Sequence, residues 1–77
     1  MNIENTLNHA ISILKANKIA NPQLDSEILL SESINKDKKY FVLNSKEMLN
    51  NKQLNSFNTF IERRKKGEPI AYLINKK

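Results

Sequence analysis

The chain has 77 residues and a formal net charge of +5, with 13 basic and eight acidic side chains. It contains no cysteine, one histidine and one glycine, which excludes disulfides, thiolate metal sites and glycine-rich phosphate loops and leaves no nucleophile–base pair for catalysis. We therefore expect one small domain that binds a partner and does not catalyse a reaction by itself.

The first helix is predicted from residue 3 to about residue 17, with Asn2 as its N-cap and Glu4 in its first turn. His9 lies off its apolar face and has no second histidine or carboxylate cluster to form a site with, so we interpret it as a surface residue. The apolar face recurs at intervals of three and four residues: Ile3, Leu7, Ala10, Ile11 and Leu14.

A second helix is predicted to begin with Asn21 as N-cap and Pro22 as first residue, and to end near residue 33. Asp25 and Glu27 fall in its early turns, where negative charge interacts favourably with the helix dipole. Because residues two apart point to different sides of a helix, they cannot act together as an acid–base pair. The apolar face is assigned to Leu24, Ile28 and Leu29.

Residues 35–37 form a polar break, after which Asp37 is placed to cap a third helix of two turns. A short strand is the alternative for this segment, but the chain offers no second strand-like segment to pair with it. Tyr40, Phe41 and Leu43 are expected to close one end of the core.

The fourth helix carries the clearest signals. Asn50 and Gln53 have the spacing of a capping box, and Leu49 and Leu54 are placed as a hydrophobic staple. Its apolar face comprises Leu54, Phe57, Phe60 and Ile61.

The end of the fourth helix is predicted to be a sharp corner. Gly67 has the position of a left-handed C-cap, and Pro69 that of the first residue in a short fifth helix. We interpret both as structural turn residues. The apolar side chains that follow are expected to lie exposed and to seek a partner: Ile70, Leu73 and Ile74. Together these segments predict an all-α fold, a small bundle of four to five short helices at mixed crossing angles.

Positive charge concentrates after residue 61, where residues 62–77 contain six basic and two acidic side chains. Part of this charge complements the carbonyl end of the fourth helix, and neighbouring arginines can also grip carboxylates or phosphates. For Arg63 and Arg64 a contact role and a structural role both stay open. The candidate partner-binding residues are Arg63, Arg64, Lys65, Glu68 and Tyr72.

Three segments resemble the release factor glutamine methyltransferases (the HemK/PrmC family). Residues 63–72, RRKKGEPIAY, are similar to the family's Arg-Arg-x-x-Gly-Glu-Pro-hydrophobic-Ala-Tyr signature, which precedes the catalytic domain. Residues 24–30, LDSEILL, are similar to its Leu-Asp-Ala-Glu-Leu-Leu-Leu segment, and residues 49–53 to its Leu-Ser-x-Glu-Gln helix start. The three segments occur in the family's order. Asn75 stands where the family usually has glycine.

The resemblance implies a substrate-docking domain at residues 1–74, with residues 75–77 as the start of a linker to a Rossmann-like methyltransferase domain. Family enzymes transfer a methyl group from S-adenosylmethionine to the glutamine of the Gly-Gly-Gln motif in class I peptide chain release factors, and some are fused to a tRNA methyltransferase module. The family's Asn-Pro-Pro-Tyr motif and glycine-rich cofactor loop have no counterpart here. We therefore expect no catalytic, cofactor-binding or metal-binding residue in this chain.

The lack of cysteine fits a reducing cytoplasm, and the longest apolar run, residues 70–74, is far too short to span a membrane. We therefore expect a cytoplasmic monomer without membrane contact. The resemblance implies that it binds a release factor and its own catalytic domain. If Arg63 and Arg64 dock the release factor, reversing both charges should weaken binding and barely change the melting temperature. Two alternatives stay open. One is an independent basic RNA-binding module, supported by the positive charge after residue 61; the other is a structural spacer packed on a following domain.

Overall fold

A computed structural model describes residues 1–74 of the chain. Within that range the chain forms no strand, and its extended pairing is an isolated antiparallel bridge between Asn2 and Met48. The all-α prediction is confirmed. The five helices are α1 (Ile3–Ala16), α2 (Pro22–Ile34), α3 (Lys38–Leu43), α4 (Asn51–Lys65) and α5 (Ile70–Ile74).

Three helices begin with the predicted side-chain caps. The Asn2 side chain accepts from the Asn5 N–H at 2.7 Å, and the Asp37 side chain accepts from the Tyr40 N–H at 3.0 Å. Asn50 and Gln53 form both bonds of the capping box, at 2.8 and 2.9 Å. These bonds satisfy backbone donors that the first helical turn leaves without partners. The exception is α2, because Asn21 precedes Pro22 as predicted but its side chain makes no capping hydrogen bond.

One core connects α1, α2 and α4, and α5 packs against α2 and α4. Most of the apolar faces predicted for α1 and α4 point into it: Ile3, Ala10, Leu14, Phe57, Phe60 and Ile61 are buried. The N-terminus is tied to the segment before α4, since the Ile3 N–H donates to the Glu47 carbonyl and the Leu49 N–H to the Met1 carbonyl, both at 3.0 Å.

The face assigned to α2 is partly wrong. Leu24 is 55% exposed, whereas Leu29 is buried as predicted and Leu30 is buried beside it. Asp25 and Ser26 are buried as well, at 6% and 0% exposure. Apolar residues lie on several sides of α2, so its own pattern does not select the inward face and packing against α1 and α4 decides it.

Three smaller predictions are corrected at the ends of the bundle. Leu43 does not close the core, because it is 72% exposed while its neighbour Phe41 is buried. The apolar side of α5 is not exposed, since Leu73 is buried and Ile70 and Ile74 pack against the core. Pro69 lies one residue before α5, where its carbonyl accepts from the N–H groups of Tyr72 and Leu73 at 3.1 Å.

Candidate functional site

The predicted partner-binding residues lie together where α4 turns into α5, a region we call the α4–α5 corner (residues 63–72). Gly67 has φ +100°, which confirms the predicted left-handed cap. Its N–H donates to the Arg64 carbonyl at 2.9 Å and the Glu68 N–H donates to the Arg63 carbonyl at 3.2 Å, the two bonds of a Schellman motif. A Cβ at Gly67 would meet nothing within 4 Å, so the backbone angle alone demands glycine.

Arg63 is held by Glu68 in a bidentate ion pair. Its Nε lies 3.1 Å from both carboxylate oxygens and its Nη2 lies 2.7 Å from Oε1. The guanidinium carbon also lies 5.7 Å from the centroid of the Tyr72 ring, within the range of a cation–π contact. The hydrogen bonds to Glu68 raise the pKa of Arg63 further above its usual value, so the guanidinium stays charged.

Arg64 lies on α4 and connects it to α2 and to the segment before α5. Its Nε donates to Asp25 Oδ2 of α2 at 3.0 Å, and its Nη1 donates to the Glu68 carbonyl oxygen at 2.9 Å. The side chains are 21% exposed for Arg64 and 8% for Asp25, so this ion pair is largely shielded from water. Asp25 lies in the first turn of α2 as predicted. Its burial and its bond to a residue 39 positions away were not predicted.

The two remaining predicted residues differ: Lys65 forms an ion pair on its own helix, and Tyr72 is largely exposed to solvent. Lys65 Nζ lies 3.2 Å from Glu62 Oε2 on the same helix, while Tyr72 is 64% exposed. Both arginines and Lys65 therefore already have carboxylate partners inside the domain, and their role in binding another molecule stays a prediction. The geometry shows that the corner fixes the direction in which α5 follows α4.

A second surface, which the sequence pattern did not single out, lies where α1, α2 and α3 meet. We call it the α1–α2–α3 groove, and one of its depressions has a volume of about 640 Å³. Glu27 and Lys38 face each other across it at 3.7 Å, with Gln23 donating to Glu27 at 3.4 Å. Its aliphatic and charged walls include Leu7, Ile11, Lys15, Ile19, Leu24, Glu27, Lys38 and Val42.

Other chemistry is limited in the part of the chain that the structure describes. Residues 1–74 contain no group of three or more potential ligand side chains close enough to hold a metal ion. His9 lies on the exposed side of α1, as predicted. None of the described helices has both the length and the apolar character needed to cross a membrane.

Comparison with known proteins gives a match to the PrmC N-terminal domain family over residues 5–74. A release factor glutamine methyltransferase from Buchnera aphidicola subsp. Schizaphis graminum is 40% identical over 77 residues, which cover 100% of this chain and 27% of that protein. The enzyme of the same name from Aliivibrio fischeri is 32% identical over 74 residues, covering 96% and 26%.

A bifunctional methyltransferase from Rickettsia bellii is 37% identical over 75 residues, which cover 97% of this chain and 14% of that protein. The chain thus spans about a quarter of the first two relatives and about a seventh of the third. No solved structure matched significantly.

Proposed function

Since the chain belongs to the PrmC N-terminal domain family, we propose that it is the substrate-docking domain of a release factor glutamine methyltransferase. The domain recognises the body of a class I peptide chain release factor and positions it, while a separate domain transfers the methyl group. The observation that carries this proposal is the family match over residues 5–74, the range that folds into the five-helix bundle.

In the parent enzyme, the methyl group passes from S-adenosylmethionine to the side-chain amide of the glutamine in the release factor's Gly-Gly-Gln motif. The relatives support this assignment by their names and by their length, since this chain covers only 26–27% of the release factor methyltransferases described above. Residues 1–74 dock the substrate, and residues 75–77, which lie outside the described residues, begin the linker. Cofactor binding and catalysis belong to the following domain, and the protein acts as a cytoplasmic monomer.

The ion pairs of the α4–α5 corner weigh against RNA as the partner. Phosphate binding needs cationic side chains that are free to contact successive phosphates. Arg63, Arg64 and Lys65 each lie within 3.2 Å of a carboxylate oxygen of the domain itself. A salt titration against ribosomal RNA checks this point, because we expect weak binding with a shallow dependence on ionic strength, whereas an RNA-binding module would show a steep one.

The proposed function is tested in the parent methyltransferase by removing residues 1–74. We expect kcat/KM on an intact release factor to fall by at least about tenfold, mainly through KM, because docking energy is lost while the chemical step is kept. A short peptide that contains Gly-Gly-Gln serves as the matched substrate, since it has no body to dock and its methylation should change little. Equal losses on both substrates would overturn the docking role.

A further inference from the structure

We infer that the release factor docks on the α1–α2–α3 groove and not on the α4–α5 corner. The groove receives an amphipathic segment of the release factor that presents aliphatic side chains and a carboxylate. This inference rests on the proposed function and adds to it the surface and the chemistry of contact.

Exposed aliphatic side chains are the first observation. Leu24 and Val42 are 55% and 69% exposed, and both line the groove. Leu7 and Ile11 are half-buried and also line the groove, so its wall contains further aliphatic surface. Aliphatic side chains gathered in a concave surface are typical of sites that receive an apolar face of a partner.

The groove is continuous. The depression bordered by Leu24 and the one bordered by Val42 share Ile11, Gln23, Glu27 and Lys38 in their walls. The ion pair of Glu27 and Lys38 therefore lies between two apolar patches. A segment with aliphatic side chains spaced along one face fits this alternation, because it can cover both patches and leave the ion pair intact.

The positive charge of Lys15 favours a partner that carries a carboxylate. Lys15 lies exposed in the last turn of α1, on the wall of the groove. It has no ion-pair partner within residues 1–74, whereas the groove's Lys38 already has Glu27. One uncompensated positive charge thus remains at the groove, and a carboxylate on the partner complements it. At the corner, the two arginines are neutralised by Glu68 and Asp25, and the positive charge that remains is that of the exposed Lys66.

The position of the groove suits a substrate. An adjoining depression is lined by both Leu24 and Ile74, the last described residue. Under the proposed function the catalytic domain follows α5, so a release factor segment in the groove lies beside the domain that must act on it.

The test compares two neighbouring residues of α3. Val42→Glu and Leu43→Glu introduce the same charge at sites that are 69% and 72% exposed, but only Val42 lines the groove. Binding of the 77-residue chain to a purified class I release factor is measured by calorimetric titration. We expect Val42→Glu to weaken binding by about tenfold or more and Leu43→Glu by less than about twofold. Circular dichroism melting of both variants shows that each is folded.

A second pair of variants tests the charge. Lys15→Glu should weaken binding about three- to tenfold and reduce its salt dependence, while Lys52→Glu, on the exposed start of α4, should do neither. Unchanged affinity in Val42→Glu and Lys15→Glu, or equal losses in both members of a pair, would contradict docking at the groove. Neither result would contradict the proposed docking function of the domain.

Other outcomes separate the remaining occupants. A failure of the unaltered chain to bind the release factor would contradict the proposed function itself. Self-association that Val42→Glu abolishes would place a second copy in the groove and overturn the inference. A lower melting temperature of Val42→Glu in the parent enzyme, but not in this chain, would place the catalytic domain there and overturn it as well.

Discussion

The α4–α5 corner and the α1–α2–α3 groove differ in what their side chains contact. At the corner, Arg63, Arg64 and Lys65 each meet a carboxylate of the same domain. At the groove, Leu24 and Val42 are exposed. The corner has the denser positive charge in the sequence, but most of that charge is already paired, whereas the groove presents exposed aliphatic side chains. Charge density along a chain therefore does not measure the charge that a surface offers.

Helix α2 lies between the two regions and contributes to both. Three successive residues point to three environments, because each residue turns the helix by about 100°. Leu24 faces the groove, Asp25 meets Arg64 at the corner, and Ser26 is fully buried in the core. Substitutions at these positions separate the contribution of each region.

The largest effect is expected from breaking the shielded ion pair. Arg64→Ala leaves Asp25 buried and unpaired, so we expect a loss of about 2–3 kcal/mol in the free energy of unfolding, measured by urea denaturation. Arg63→Ala is the control, and it should cost less because the Arg63 side chain is 43% exposed. A loss at Arg64 no larger than at Arg63 would contradict the structural role of Asp25.

This prediction replaces the sequence-based expectation for the double reversal of Arg63 and Arg64. Charge reversal at Arg64 places two carboxylates together at a site shielded from water. The melting temperature should therefore fall clearly, and any accompanying loss of binding would not by itself identify a contact residue.

The second effect tests the backbone of the corner. Gly67→Ala should reduce the free energy of unfolding by about 1–2 kcal/mol, because φ +100° is unfavourable for a residue with a Cβ even where no atom obstructs it. Gly67→Asn should lose less, since asparagine tolerates left-handed conformations better than alanine. Equal stability of Gly67→Ala and the unaltered chain in thermal melting would show that this backbone angle is not retained in solution.

The third effect lies in the core side of α2. The Ser26 hydroxyl is buried without a hydrogen-bond partner among the described residues, so Ser26→Ala should raise the free energy of unfolding by about 0.5–1 kcal/mol. Ser33→Ala on the same helix is the control, because the Ser33 hydroxyl donates to the Leu29 carbonyl at 2.8 Å. Destabilisation by Ser26→Ala in urea denaturation would indicate that the hydroxyl is bonded.

The smallest effect concerns pH on the α3 side of the molecule. The Tyr40 hydroxyl donates to the Glu47 carboxylate, and this bond, together with burial, raises the pKa of Tyr40 above its ordinary 10.0. A pKa raised in the folded state stabilises the fold below the unfolded pKa, and this stabilisation is lost as the pH rises through the folded value.

The stability difference between the unaltered chain and Tyr40→Phe should therefore be present near pH 8 and shrink as the pH rises above the ordinary pKa of 10.0 in urea denaturation. Tyr72→Phe is the control for general alkaline destabilisation. A Tyr40→Phe difference that is independent of pH would contradict the bond to Glu47.

Local signals account for what was predicted correctly. The caps at Asn2, Asp37 and Asn50 and the left-handed turn at Gly67 each depend on bonds or angles within about four residues. The apolar faces of α1 and α4 were largely assigned correctly because most of their polar and apolar residues segregate to opposite sides. The resemblance of three ordered segments then identified the family, which the match over residues 5–74 confirmed.

Long-range packing explains what the sequence could not predict. Leu73 is buried because α5 packs against α2, which is far away in the chain, as well as against α4. On α3, Phe41 is buried in the core and Leu43 is exposed, a choice that the apolar pattern of this segment does not make. Both helices are too short, at six and five residues, for a pattern to reveal which side faces the core.

The amino-acid sequence by itself determined the all-α class, most of the helix ends and the family, since these follow from short-range hydrogen bonding, backbone angles and ordered motifs. Only the tertiary structure decided that Asp25 pairs with Arg64 across 39 positions and that Leu24 faces outward to form a groove. The physical reason is that α2 has no single apolar side, so its orientation depends on the free energy of packing against α1, α4 and α5 together.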